Sequence, residues 1–430
     1  MMLSLYRLTT ILSAPLIHFF LNQRKARGKE DPARFDERFG KTDRPRPSGP
    51  LYWLHAASVG ESLSLLPLID VLLADRPNCH LLMTTGTVTS AKLMQERLPD
   101  RAFHQFIPVD RPSYVKRFLD HWRPDISLWA ESDFWPNMII ETQLRGIPMI
   151  LVNGRISPNS FAGWQRARKV IKTLLQGFTL CLGQSDEDVD RLNQLGSRNT
   201  KNLGNLKFAA PALPADDQEL AALNSTIGDR PCWLAASTHP GEEEIIAEVH
   251  KQLKDSHSGL LTVIVPRHPA RGEDIAEALQ RMDVNLAVRS KNNPLTTETG
   301  IYIADTMGEL GLFFRLTDIA FMGKSLVPLG GQNPLEALRL ECVVIHGLHM
   351  ANFQWMSEQM HESGCSIQVS NAAELGDAVS DLLTDASKRD QIIRQGSAFI
   401  DSQSQVTERV AHEIETILDH HLAASENAAA

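Results

Sequence analysis

Glu61, closing the run His55-Ala56-Ala57-Ser58-Val59-Gly60-Glu61, is the first residue whose type and place suit chemistry. The residues ahead of it, Leu51-Tyr52-Trp53-Leu54, read as a buried strand, and residues 63–73 read as an amphipathic helix. The carboxylate therefore falls on a first helical turn at the strand's carboxyl end. Two accounts fit it. An acid there complements the helix macrodipole, worth about 0.3–1 kcal/mol, with Ser58 as N-cap. Alternatively His55, Ser58, Gly60 and Glu61 line a crevice at the carboxyl ends of parallel strands, where open α/β sheets bind ligands, and Glu61 acts as a base.

Other strand ends carry polar groups. Ala130-Glu131-Ser132-Asp133-Phe134-Trp135-Pro136-Asn137 follows a strand expected at 126–130, Asn153-Gly154-Arg155 ends the next, and Gly204-Asn205-Leu206-Lys207 ends the last of the first half. Singly, each is as well explained by loop structure or an ion pair as by a functional role; together they place acid, base and cation on one sheet edge. The second half carries Ser237-Thr238-His239-Pro240-Gly241-Glu242, Pro266-Arg267-His268-Pro269, Asp305-Thr306-Met307-Gly308-Glu309 and Gly330-Gly331-Gln332-Asn333-Pro334-Leu335-Glu336. Glycines ahead of a helix start present backbone N–H groups that suit a phosphate. Arg267 offers a bidentate guanidinium, and Glu336, three residues after Asn333, suits ribose hydroxyls. No GxGxxG follows a strand and no GxxxxGK[ST] occurs, which removes the dehydrogenase and P-loop readings.

The elements that must position these groups alternate short apolar runs with helical periodicity, as a parallel sheet requires. Strands are expected at 51–57, 81–85, 104–107, 126–130, 149–153, 180–183 and 202–204. After a small, Pro-rich linker the pattern restarts at 233–236, 261–265, 285–288, 301–304, 319–322, 343–346 and 366–369. The expected layout is an N-terminal segment at 1–30, an α/β domain at 31–208, a linker at 209–217, a second α/β domain at 218–404, and a helix and tail at 405–430, disordered after Leu422.

The chain of 430 residues is 43% hydrophobic and 22% charged, with a net charge of −9. That is an ordinary globular composition without the basic excess of a nucleic-acid binder. Cys79, Cys181, Cys232, Cys342 and Cys365 form no CxxC pair and no zinc spacing, as expected of a reducing compartment. Residues 3–21 are predominantly apolar, interrupted by Arg7, Pro15 and His18, and would span about 28 Å as one helix. Arg24, Lys25, Arg27 and Lys29 follow the apolar segment, unlike a cleavable signal, so the body is expected to stay cytoplasmic. The expected element is a membrane-associating helix that spans or lies in the interface; a helix packed on a soluble domain is the plain alternative.

Two Rossmann-like domains, one with acid/base groups and one suited to a nucleotide, resemble the GT-B glycosyltransferase architecture. The runs HAASVGE, AESDFWPN, GNLKF, STHPGEE, VPRHP, DTMGEL and GKSLVPLGGQNPLEA, followed by Asn352-Phe353, resemble the 3-deoxy-D-manno-octulosonic acid (Kdo) transferases of lipopolysaccharide synthesis, in order along essentially the whole chain. The resemblance implies CMP-Kdo as donor, lipid IVA as acceptor, an inverting transfer and a place at the inner membrane with the catalytic domains on the cytoplasmic side. It implies Glu61 as the general base, with Glu131 and Lys207 supporting the transition state. Pro266, Arg267, Met307, Gly308, Glu309, Asn333, Pro334, Leu335 and Glu336 would bind CMP. No cofactor and no metal is expected, because no Asp-x-Asp metal motif is read in the sequence and fixed donors and cations can meet the charge of a leaving phosphate.

The chain departs from that family's pattern at Lys324, usually glycine, Gln332, usually histidine, Ala337 and Leu348, usually proline, and Asp133, usually glutamate. A nucleotide-sugar epimerase shares the architecture but gains nothing from an apolar N-terminus. A two-domain solute-binding protein would carry a cleavable signal.

Overall fold

The computed structural model describes residues 2–209, 211–403 and 405–429; Ala210 of the expected linker, Ser404, Met1 and Ala430 lie outside the described residues. The chain divides into two compact units, one of residues 1–210 with 403–430 and one of residues 211–402.

The first unit holds a seven-stranded, wholly parallel sheet. Its strands are β1 (Leu51–His55), β2 (His80–Thr85), β3 (Ala102–Phe106), β4 (Ile126–Ala130), β5 (Met149–Gly154), β6 (Leu180–Gly183) and β7 (Thr200–Asn202), in the order β3-β2-β1-β4-β5-β6-β7. Burial of β1, β4, β5 and β6 along their whole length explains why these strands read as near-continuous apolar runs. Alternate residues supply two cores. Tyr52 and Leu54 face one, and Leu51 and Trp53 face the other, with Trp53 edge-on to Trp129 at 5.4 Å.

The second unit repeats the plan with β8 (Cys232–Thr238), β9 (Leu261–Pro266), β10 (Leu286–Val288), β11 (Ile301–Ile303), β12 (Ile319–Met322), β13 (Val343–His346) and β14 (Ser366–Gln368). Their order is β10-β11-β9-β8-β12-β13-β14, again all parallel. In each sheet the winding reverses beside the first strand, between β1 and β4 and between β8 and β12. Open α/β sheets bind ligands in the crevice at such a point.

Several elements differ from the sequence expectation: the helix expected at 63–73 is two, Val59–Ser64 and Leu66–Asp75, and β3 begins two residues early at Ala102, while three further differences change the setting more. The last strand of the first sheet lies two residues earlier, at Thr200–Asn202. Gly204 instead forms a left-handed corner at φ +99°, where a Cβ would meet Val406 Cγ2 at 2.6 Å. The N-terminal segment is not one anchor helix but two, Met2–Leu12 and Ala14–Ala26, bent by 62°. Pro15 has no N–H to continue the ladder and its ring clashes with the preceding turn. No single helix among the described residues is long and apolar enough to cross a membrane; only this bent pair, taken together, has that length and composition. Finally, the tail expected to be disordered continues the helix Val406–Ala429, in keeping with alanine's high helix propensity. Val406, Val410, Ala411, Ile414 and Leu418 of that helix pack into the first unit's core.

Candidate active site

In the first unit the site grows from the carboxyl ends of β1 and β4. Ser58 caps the helix Val59–Ser64: its Oγ accepts the Glu61 N–H at 3.3 Å and donates to Glu61 Oε1 at 2.7 Å, while Ala57 N–H donates to Oε2 at 2.8 Å. This is a reciprocal capping arrangement, and the capping account of Glu61 is visible in it. It uses two of roughly four lone-pair sites on a half-buried carboxylate and leaves the others open.

His55, the last residue of β1, is buried between its strand neighbours Thr84 and Trp129. Its Nδ1 lies 3.1 Å from the Thr84 carbonyl, which can only accept, so Nε2 is turned toward Asp133 Oδ2 at 3.5 Å. Trp135 Nε1 donates to the same oxygen at 2.9 Å. Burial pushes the Asp133 carboxyl up, but the hydrogen bonds and charge of His55, with the Trp135 indole, outweigh it and hold the group below the usual aspartate range.

Glu131 follows β4 in a left-handed conformation, φ +54°, which favours glycine. Its Oε1 pairs with Lys207 Nζ at 2.6 Å. Lys207 is brought there by a chain of buried amides. Asn153, also left-handed at φ +54°, accepts the Leu206 N–H at 2.9 Å. Gln184 donates to the Asn153 carbonyl at 3.0 Å and accepts from Asn205 at 3.2 Å, and Asn205 accepts the Lys207 N–H at 2.9 Å. Sequence reasoning passed over Gln184, although it follows β6 directly, as Glu131 follows β4.

In the second unit Glu242, fully buried, is the anchor. It accepts backbone N–H groups from His239 at 2.9 Å, Lys324 at 2.6 Å, Ser325 at 3.0 Å and Leu326 at 3.1 Å, tying the ends of β8 and β12 together. Burial still raises its carboxyl above the usual glutamate value against those four donors. Lys324 sits at φ +64° and Gln332 Nε2 lies 3.0 Å from His239 Nε2.

The expected nucleotide-binding residues fall on neighbouring loops of this unit. Pro266 ends β9, and Arg267 N–H donates to the Thr238 carbonyl at 3.1 Å. Asn333 Oδ1 accepts the Leu335 N–H at 3.2 Å and its Nδ2 donates to Glu336 Oε1 at 3.3 Å, at a single helical turn, Leu335–Leu338, that begins just after Pro334. Burial raises the Glu336 carboxyl, opposed by Asn333 and by the charges of Arg267 and Arg339, so the Arg267 loop and this turn share one electrostatic environment. Met307 is 77% exposed and Gly308 takes φ +87°. Glu309 is already engaged: Arg289 grips its two oxygens at 2.7 and 2.5 Å and lowers its pKa. Its side chain is a loop brace, which leaves the exposed Met307 and the Met307–Glu309 backbone to meet a ligand.

Among the described residues no group of three or more His, Cys, Asp or Glu is arranged to hold a metal ion. The reading that the sequence lacks an Asp-x-Asp spacing is corrected by Asp186 and Asp188, whose carboxylates are engaged within the fold. Asp188 accepts from Ile156 N–H at 2.8 Å and Ser185 Oγ at 2.9 Å, and Asp186 from Asn202 at 2.8 Å.

Residues 33–210 match the family model described as 3-deoxy-D-manno-octulosonic-acid transferase (kdotransferase). The 3-deoxy-D-manno-octulosonic acid transferase of Rickettsia bellii (strain RML369-C) is 34% identical over 90% of this chain and 93% of its own length. That of Haemophilus influenzae (strain ATCC 51907 / DSM 11121 / KW20 / Rd) is 33% identical over 91% and 93%. Among solved structures, UDP-GlcNAc 2-epimerase from Neisseria meningitidis bound to UDP-GlcNAc aligns with TM-score 0.59 over 86% of this chain and 100% of that one; at 10% identity the likeness bears on the fold alone. The two parallel-sheet α/β units are thus of the kind shared by GT-B glycosyltransferases and nucleotide-sugar epimerases, and the relatives that span nearly the whole chain decide between those activities: this chain belongs to the Kdo transferase family of glycosyltransferases.

Proposed function

We propose that this Kdo transferase takes its sugar from CMP-Kdo, delivers it to lipid IVA with inversion and without a metal, and uses Glu61 as general base. The observation that carries the reading is the Glu61 carboxylate, fixed by Ala57 N–H and Ser58 Oγ at the sheet's switch point with lone pairs to spare. A sugar hydroxyl is a poor nucleophile, and a positioned carboxylate contributes typically about 10²–10⁴-fold. In the step, the acceptor oxygen bonds to the anomeric carbon as the bond to the CMP phosphate oxygen breaks, and the hydroxyl proton passes to Glu61. Lys207, held by Glu131, supports the transition state near the developing negative charge, and the loops of Arg267, Met307–Glu309 and Asn333–Glu336 bind CMP.

The N-terminal helix pair suits an acceptor that lives in a bilayer. Tyr6 donates to Asp110 at 2.9 Å, Arg7 to Glu141 at 2.7 Å and Asn137 to Thr10 at 3.2 Å, which fasten one face to the body. Leu5, Leu8, Leu12, Leu16, Phe19 and Phe20 are exposed on the pair, from 51% to 70%. This fastening supports a pair that lies in the lipid interface rather than across it, and the basic residues Arg24, Lys25, Arg27 and Lys29 that follow support the cytoplasmic side of the inner membrane. The test is a transfer assay with CMP-Kdo and lipid IVA in EDTA, read by the acceptor's mass. Gain of whole Kdo units is expected; an unchanged mass with CMP still bound would refute the acceptor, and activity only with added metal would refute the metal-free step.

A further inference from the structure

A cavity of about 430 Å³ opens in the second unit at the carboxyl ends of β13 and β14. β13 is the buried run Val-Val-Ile-His, so an apolar strand ends in one polar side chain, His346, only 2% exposed. Its Nδ1 lies 2.9 Å from the Gly347 carbonyl. A carbonyl accepts and never donates, so Nδ1 carries the proton and Nε2 of the neutral ring is a bare acceptor lining the cavity. Burial, opposed by the bond to the Gly347 carbonyl and aided by His361 nearby, lowers the imidazole below its usual value and so favours the neutral ring. Among the described residues no protein atom bonds Nε2, an unfavourable state for a buried acceptor.

The facing wall is the helix Gln354–Glu362, on which Gln354, Glu358 and His361 stand at i, i+4 and i+7 and line the cavity as one stripe. Gln354 Nε2 donates to Glu358 Oε1 at 3.0 Å. The absence of a three-ligand cluster among the described residues disfavours a metal here. The walls instead offer acceptors at His346 and Glu358, an amide at Gln354, and Leu348 and Met350 for the C–H face of a ring. That combination recognises a polyol, and the volume is that of a small-ligand pocket. Gly330 stands on the rim, its carbonyl accepting the Asn352 N–H at 2.9 Å, and the turn that follows it carries Asn333 and Glu336.

We infer that this cavity is a sugar subsite in which His346 Nε2 accepts a hydroxyl of the Kdo unit of the donor, beside the turn that receives its nucleotide. The inference rests on the CMP-Kdo reading above. The experiment titrates full-length protein with CMP and with CMP-Kdo by calorimetry. CMP-Kdo should bind more tightly than CMP, and His346→Leu should weaken CMP-Kdo by about 3–10-fold, the loss of one hydrogen bond, while leaving CMP unchanged. Glu358→Gln, on an exposed helix face, should act in the same direction. Histidine side-chain ¹⁵N spectra of the wild type should show the His346 Nε2 signal moving with CMP-Kdo and not with CMP. Unchanged CMP-Kdo affinity in both variants with an unmoved signal overturns the subsite. Failure of the wild type to bind CMP overturns the donor reading instead. Should His346→Leu lose CMP as well, Glu358→Gln and the spectra decide.

Discussion

Asp133 shows how a single residue's setting becomes a measurable property. Its carboxyl titrates below the usual aspartate value in the fold, because His55 and Trp135 outweigh the cost of burial. A lowered folded pKa means that the charged form stabilises the fold above the unfolded value of about 3.9, and that this contribution fades as pH falls through the folded value. Urea unfolding of Asp133→Asn against wild type should therefore show a wild-type advantage at pH 5–6 that shrinks below about pH 4; an advantage that grows on acidification would contradict the pairing. Lys324 makes a second residue-scale prediction. A side chain at φ +64° is strained by about 1–2 kcal/mol, partly offset in a glycine variant by the looser unfolded chain. Lys324→Gly should gain about 0.5–1 kcal/mol in guanidinium unfolding, and a loss would show that the lysine side chain makes contacts worth more than the strain. The position was singled out in the sequence by its departure from the family's glycine. The left-handed backbone gives that departure a physical meaning. Glu61 was equally legible, since Ser58 and Glu61 have the spacing of a capping box. Its bond to Ala57 N–H was not foreseen.

At the scale of elements, strands of the two sheets were readable because buried parallel strands are apolar on both faces and end where polar residues begin. Sheet order was less accessible: β11, the fourth strand of its unit, inserts between β9 and β10, whereas β4 pairs with β1 on the opposite side, and local periodicity carries no information on which strand pairs with which. The N-terminal break was written in the sequence at Pro15 and still read as one helix, since composition over 19 residues outweighed a single residue. Its polar fastening was invisible, because Tyr6 and Asp110 stand 104 positions apart. The element makes its own prediction. Replacing Leu8 and Phe19 together by glutamate removes apolar area from the exposed face without touching Tyr6, Arg7 or Thr10. Flotation with anionic vesicles should drop by roughly ten-fold or more, since each large apolar side chain buried in the interface contributes up to about 1.5–3 kcal/mol. Undiminished flotation would contradict an interfacial role for the pair.

For the whole molecule, two units of one plan each place polar residues at a switch point, and each uses non-glycine residues in left-handed conformations there: Glu131 and Asn153 in the first, Ser237 and Lys324 in the second. The chain returns to its first unit at the end, where Ile414 and Leu418 are wholly buried beside Tyr52 and Leu54. That return could not be assigned from sequence, because an amphipathic helix names the face it buries and not its partner. On the proposed mechanism Glu61 takes the proton in Kdo transfer. Single-turnover transfer by Glu61→Gln, measured beside its CMP affinity, tests it most directly. With Glu61 as base the rate falls by about 10²-fold or more while CMP affinity is unchanged. A near-normal rate would leave Glu61 as a helix cap and nothing else.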